Sequence, residues 1–600
     1  MKMLNQMGLL GTAILAASVL TACGGGGTTA ANPPAGNTSC LTAKMPVTHV
    51  TSSIGSATTW NAGTVYAVDN SISVNAALTI QPGAVVKFAT GLPGGAVMTV
   101  SSTGTINASG SATCGIAFTS YKDDSVGGDS NGDGIATTPL VGDWGNVVLN
   151  SSGSVFNYVN FSYGGKSDST VQIGGNFVNS ATITNSTFAH NNGGNSSLLV
   201  VYRTDAVGAL DAGSATAATV ITGNTFYDNK VPVSISGLFN VDNSNTFHDP
   251  ASTSTTNKYN GIFLVGNSYK AITGNISFSE TEVPYVLAGV IDVSGNSTLT
   301  IGDDVVLKFF AIDSTLNTNY NGNVVNATAK IIANASVGKK IVFTSYKDDA
   351  HGGDTNGDGS STGAVGDWAR VVLNANGSVF NRAEFYFGGW DTANRETLNL
   401  MAYSATVTNS IFAHNHGGDI SNLPYSEYGA LNASLATAAT IITGNTFYAN
   451  SIPLEMSGKF SIDNSNVFHD PANAATTNTY NGIFFTGNSA NYFQTISLTE
   501  TEIPFVIKGD IWVNAGNVLT LGNNVVFKFS GTGTQLSYDD ATGNISNIGG
   551  AIFTSLNDDS YLGDTNGNGA STGLTGDWNA IRNLAHTVYL HPAHEYFNQN

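Results

Sequence analysis

A unit of about 221 residues repeats along this chain, and a fixed-period repeat restricts the architecture more than any local signal does. The runs LTIQPGAVVKF, LTIGDDVVLKF and LTLGNNVVFKF end at Phe88, Phe309 and Phe529, at intervals that agree to within a single position. TGNTF recurs at Phe226 and Phe447, and NTFHDP answers NVFHDP at Phe247 and Phe468, both pairs at the interval that separates Phe88 from Phe309. The third shared block is acidic: FTSYKDDSVGGDSNGDGIATTPLVGDW (Phe118 to Trp144), FTSYKDDAHGGDTNGDGSSTGAVGDW (Phe343 to Trp368) and FTSLNDDSYLGDTNGNGASTGLTGDW (Phe553 to Trp578). The first two of these blocks stand slightly farther apart than one period and the last two slightly closer. Insertions therefore fall in connecting loops while the framework keeps its period. The spacing divides the chain into module A (58–278), module B (279–499) and a partial module C (500–600).

Within a module, apolar and polar residues alternate with period two, as in SATITNSTFAHN (180–191), ATVITGNTFYDN (218–229) and SGSVFNYVNFSY (152–163). Such runs, closed by Asn and Gly, read as short half-buried strands. Asn beside Thr or Ser at successive turns suits stacked coils, where identical amides hydrogen-bond in ladders. These rungs, the opening LTI-x-PG-x-VVKF and the VVL that follows GDW in modules A and B resemble the right-handed parallel β-helices of secreted pectate-lyase-like and bacterial surface proteins, over about 58–600. The resemblance implies an all-β solenoid of about 2.5 modules. At about 23 residues per coil it has on the order of 24 rungs and a length on the order of 115 Å at about 4.8 Å per rung. A string of three β-sandwiches fits less well, since the repeated unit is long for one sandwich and the turns are not spaced for Greek keys.

The acidic loops have the pattern D-x-N-x-D-G: Asp129, Asn131, Asp133 in module A and Asp354, Asn356, Asp358 in module B. Hard cations take oxygen ligands at about 2.4 Å, and alternate residues of a tight loop aim their oxygens at one centre. The pattern resembles the first half of EF-hand-like and thrombospondin-type calcium loops and implies structural Ca2+. It departs from them at the twelfth position, Leu140 or Val365. The missing ligand comes either from the GDW aspartate (Asp143, Asp367) or from the upstream pair (Asp123-Asp124, Asp348-Asp349). Module C keeps Asp564, Asn566, Asn568 and Asp577, one carboxylate fewer, and so predicts a weaker site. An Asx-rich turn with no ion is the competing reading.

The N-terminus reads as a secretory signal peptide over 1–22. Leu20-Thr21-Ala22-Cys23 resembles the bacterial lipobox, which implies cleavage before Cys23, lipidation of its sulfur and anchoring in a membrane. Gly24 in place of Asp implies outer-membrane sorting, with the chain facing the periplasm or the cell surface. Residues 23–57 form the anchored tether and N-terminal cap, Gly- and Pro-rich at first. Cys40 and Cys114 pair, or remain free thiols; an exported compartment permits the disulfide.

The chain carries 41 acids against 21 bases, a net charge of −20, which excludes a basic nucleic-acid footprint. An enzyme seldom needs three copies of one centre, and Lys122 and Lys347 become Asn557 in module C. The function expected is therefore non-enzymatic, adhesion or binding of glycans or extracellular matrix, with no catalytic residue assigned. A β-helix polysaccharide lyase or glycoside hydrolase is the alternative. Ligand specificity is expected in variable loops such as those of Arg203 and Glu427.

Overall fold

The structure, a computed structural model, describes residues 38–583 apart from 167, 176–177, 194–206, 321–327, 391–394, 419–428, 487–491 and 540–543, together with Tyr596. The signal segment and Cys23 lie outside these residues, as do Arg203 and Glu427. The protein is all-β: among the described residues the helical elements are the 3-10 turns Ser39–Leu41 and Ile548–Gly550. None of the described helices is long and apolar enough to cross a membrane.

The chain winds through three stacked parallel sheets. Through the N-terminal cap and module A the first face runs from Val47–Val50 through Val85–Phe88 and Ile116–Ser120 to Thr225–Tyr227. The second includes Ile72–Val74, Met98–Val100 and Val147–Leu149, and the third Ala77–Ile80, Thr105–Ser109 and Ser154–Asn157. Parallel pairing across successive coils is the stacking of a β-solenoid. Third-face strands alternate buried and partly exposed residues, as in Ser154–Asn157 and Ala181–Thr184. First-face strands such as Val85–Phe88 and Ile116–Ser120 are buried on both sides, which explains their near-continuous apolar runs. Coil length is uneven. Val65 pairs with Val85, whereas the coil from Ala117 to its partner Asn160 is more than twice as long, because the acidic loop is inserted there.

Two ladders fill the interior. Phe161, Phe188, Phe226 and Phe247 stack with centroids 4.8, 5.1 and 5.4 Å apart, and Phe385, Phe412, Phe447 and Phe468 repeat this at 4.7, 5.1 and 5.3 Å. At the turns, Asn191 Nδ2 donates to Asn229 Oδ1 (3.0 Å) and Asn229 Nδ2 to Asn257 Oδ1 (2.9 Å). Asn415, Asn450 and Asn478 do the same at 3.1 and 2.9 Å. Each buried amide thereby satisfies its neighbour. Cys40 and Cys114 are joined in a disulfide across 74 residues, with Cα atoms 5.6 Å apart.

At the module boundaries the faces exchange. Val233–Ile235 of the second face pairs with Ile262 to Leu264, which leads into Tyr285 to Leu287 and Val306–Phe309, the counterparts of the first face. The third face continues through the Val241–Phe278 bridge, and the first ends in the hairpin His248–Asp249/Ser252–Thr256. The second boundary is built identically, with Leu454–Met456 under Ile483 and the hairpin His469–Asp470/Asn473–Thr477. One sequence repeat therefore hands the second face on to the first face of the next module, while the third face runs on.

Each boundary also holds a buried glutamate. Glu280 is 1% exposed; its Oε1 accepts the Thr281 and Glu282 amides at 3.0 and 2.8 Å, and its Oε2 has no hydrogen-bond partner. Glu282 in turn accepts the Phe247 amide (3.0 Å) and pairs with His248 Nδ1 (2.5 Å), holding the hairpin. Glu500, Glu502 and His469 repeat the arrangement. Burial pushes both Glu280 and Glu500 up to about 7, against the lowering effect of the two amides.

Candidate metal centre

Each acidic loop leaves a first-face strand at a pair of aspartates that divide their work. Thr119 Oγ1 donates to Asp123 Oδ2 (2.6 Å), and Asp123 Oδ1 accepts the Ser125 amide (3.1 Å). Asp348 and Asp558 are held in the same way by Thr344 and Thr554 (2.6 and 2.5 Å). These first aspartates are buried and fix the turn. The second of each pair turns to the loop: Asp349 and Asp559 accept the Ser361 and Ser571 amides, both at 2.6 Å, and Asp124 meets Asp129 and Asp133.

The D-x-N-x-D-G core closes around its first aspartate. Asp129 accepts the amides of Gly132 (2.7 Å) and Gly134 (3.0 Å), and Asp354 those of Gly357 (2.6 Å) and Gly359 (3.0 Å). Gly132 and Gly134 have φ of 76° and 72°, values glycine adopts without strain. The Gly134 amide, first among several causes, holds the Asp129 carboxyl below its ordinary value. Asn131 Nδ2 donates to Asp133 Oδ2 and Asn356 Nδ2 to Asp358 Oδ2, both at 2.9 Å.

Three carboxylates then converge. One oxygen from each of Asp124, Asp129 and Asp133 lies within 4.8 Å of the others, and Asp349, Asp354 and Asp358 form the same group in module B. Asp124 Oδ1, Asp133 Oδ1 and Asp349 Oδ1 are buried atoms without a hydrogen-bond partner. Burial, with Asp129 and Asp133 adding repulsion against the opposing pull of Lys87, pushes the Asp124 carboxyl up. Orphaned carboxylate oxygens gathered at this spacing match the donor set of a hard divalent cation. Of the two sources open for the extra ligand, the upstream aspartate is the one in the cluster.

The GDW aspartate has other partners. Asp143 accepts from Ser120 Oγ (2.7 Å), Lys122 Nζ (3.0 Å) and the Leu140 amide (3.0 Å), closing the loop back onto its strand. Asp367 repeats this with Ser345, Lys347 and Ala364, and Asp577 with Ser555, Asn557 and Leu574. In module C, Asp564 keeps its turn to Gly567 and Gly569, and Asp559 Oδ1 is again orphaned. Asn566 Nδ2 turns to Leu556 O (3.3 Å) and Asn557 Oδ1 (3.1 Å), while Asn568 Oδ1 accepts from Ser571 Oγ (3.1 Å). The tryptophans that end the loops are fully buried. Trp144, Trp368 and Trp578 stack on Phe88, Phe309 and Phe529 at 4.2, 4.0 and 4.2 Å.

No family model, characterised protein or solved structure matches the chain. The chemistry of the loops therefore rests on their own geometry.

The sequence reading passed over a lysine beneath each loop. Lys87 Nζ donates to the carbonyls of Asp123 and Gly128, both at 2.7 Å. Lys308 reaches Gly353 O (2.6 Å) and Thr355 Oγ1 (2.9 Å), and Lys528 reaches Gly563 O (2.6 Å) and Thr565 Oγ1 (3.0 Å). All three are buried, and burial lowers each to about 8 despite the neighbouring aspartates. The signal was one charged residue at the same place in three otherwise apolar strands, where a lysine is kept only if paired.

Each loop also leans on the coil before it. The Met45 amide donates to Gly127 O (3.1 Å) and the Gly127 amide to Leu41 O (2.6 Å), joining loop A to the N-terminal cap. Around Gly352 and Gly357, loop B lies against Pro284 and Tyr259, and Gly567 of loop C lies against Tyr480. A separate small apolar cluster sits under each: Leu41, Met45 and Val126; Phe263, Val286 and Tyr346; Phe484, Val506 and Leu556.

Proposed function

We propose that this chain is a lipid-anchored cell-envelope protein, held in the outer membrane through Cys23 and built as a right-handed parallel β-helix of about two and a half modules. Its acidic loops bind structural Ca2+, and it acts without catalysis, by adhesion to glycans or extracellular matrix. The observation that carries this reading is that charged groups of the repeated loops hold each loop to its own strand and to the lysine of the coil beneath. Asp123, Asp143 and Lys87 brace the turn, the strand and the loop backbone, which leaves Asp124, Asp129 and Asp133 for an ion. A calcium ion at that cluster would neutralise the carboxylates and fasten each loop against the preceding coil. Repeated modules on a stiff support suit weak multivalent contacts, whose summed avidity exceeds any single affinity.

The test mixes the full chain, in detergent, with labelled polysaccharides in calcium or in chelator and follows the glycan by size exclusion. Co-elution of intact glycan, lost in chelator, is expected. Conversion to shorter glycan would establish a depolymerase and overturn the reading.

A further inference from the structure

The second face of module B carries a cleft whose side chains differ from those at the matching positions of module A. Its volume is about 480 Å³, within the range of about 300–1,000 Å³ typical of ligand sites. Three of its lining residues, Ile312, Tyr320 and Trp390, are large apolar side chains 43%, 48% and 43% exposed. Asn317, Arg370 and Asn399 line it too, on three successive strands. Exposed aromatics beside a few placed polar groups mark a binding surface more than a scattered apolar residue does.

The polar groups are set from beneath. Glu396 is fully buried, and its Oε1 accepts from Arg370 Nη1 (2.6 Å) and from Asn399 Nδ2 (2.5 Å). The Arg370 bond uses a single guanidinium N–H and leaves the rest of the fork to the cleft. Asn399 Oδ1 is taken by the Met401 amide (2.8 Å), so the side chain keeps one orientation. Backbone bonds give the counterparts in module A: Trp390 donates to Trp368 O as Lys166 does to Trp144 O, and Thr397 to Ala430 O as Thr170 does to Ala209 O. Lys166, Asn146, Ser169 and Gln172 thus stand where module B has Trp390, Arg370, Glu396 and Asn399. The four changes act together: they replace a polar strip by an exposed ring next to a pinned fork of donors.

We propose that this cleft binds a neutral glycan segment, one sugar ring stacking on Trp390 while Arg370, held in place by Glu396, donates to its hydroxyls. The proposal rests on the glycan-binding reading above and gives it a place. A neutral sugar is favoured because the one lining cation, Arg370, is already offset by Glu396 and a lining carboxylate, Asp313, adds negative charge.

Titration of the full chain in detergent with neutral oligosaccharides (β-glucan, xylan and mannan hexasaccharides) and with an oligogalacturonate tests it, read by intrinsic fluorescence and Kd. Among the described tryptophans, Trp390 is the exposed one, so stacking should change the emission. At least one neutral oligosaccharide should bind, Trp390→Ala should weaken it tenfold or more, and Trp390→Phe should weaken it less. A Kd unmoved by Trp390→Ala overturns the cleft and leaves glycan binding standing elsewhere on the chain. Binding of the oligogalacturonate alone overturns the neutral class. No binding of any oligosaccharide by the unmodified chain overturns both the cleft and the reading beneath it.

Discussion

Replacing Glu280 and Glu500 by Gln should change how stability responds to pH. Burial raises both carboxyls from 4.5 to about 7, so between those values the folded state binds more protons than the unfolded chain. Stability contributed by these groups is therefore fully present below about pH 4.5 and is lost as pH rises through 7. A shift of this size corresponds to at most about 3.5 kcal/mol per glutamate at about 1.4 kcal/mol per pH unit. Glutamine keeps the oxygen that accepts the Thr281 and Glu282 amides and carries no charge. Urea unfolding in chelator at pH 5, 6, 7 and 8 compares the double variant with the unmodified protein. The two proteins should have similar midpoints at pH 5, and the variant should gain progressively up to pH 8. Parallel curves, or a variant that loses ground as pH rises, would refute the argument.

Other outcomes follow from the same contacts. Cys114→Ser opens a covalent loop of 74 residues and should cost roughly 4 kcal/mol on the chain-entropy account, with dithiothreitol producing the same shift of the urea midpoint. Phe412→Ala removes a rung between Phe385 and Phe447 at 4.7 and 5.1 Å and should cost about 3–5 kcal/mol, measured by urea unfolding. Asn568→Asp restores the third carboxylate of module C and should raise the number of tight calcium sites seen by calorimetry by one.

The sequence made the architecture legible because solenoid coils are read locally. Alternation in 180–191 and 152–163 marks the strands, and the Asn at each turn marks the ladder. The exchange of faces at 233–264 was not legible, since a translation along the chain carries no record of which sheet a strand joins. The choice between Asp124 and Asp143 as cluster member was likewise open. It is decided by Ser120, which captures Asp143 from the far side of the loop. The module B cleft was missed because Tyr320, Arg370 and Trp390 are far apart in sequence and meet only when coils stack.

Calcium binding to the full chain by isothermal titration calorimetry tests the account most directly, with Asp129→Asn and Asp354→Asn measured alongside. Two tight sites are expected, each substitution removing one, together with a higher melting temperature in calcium than in chelator. Absence of uptake at millimolar calcium, or uptake that both substitutions leave unchanged, would contradict the view that these loops are calcium clasps.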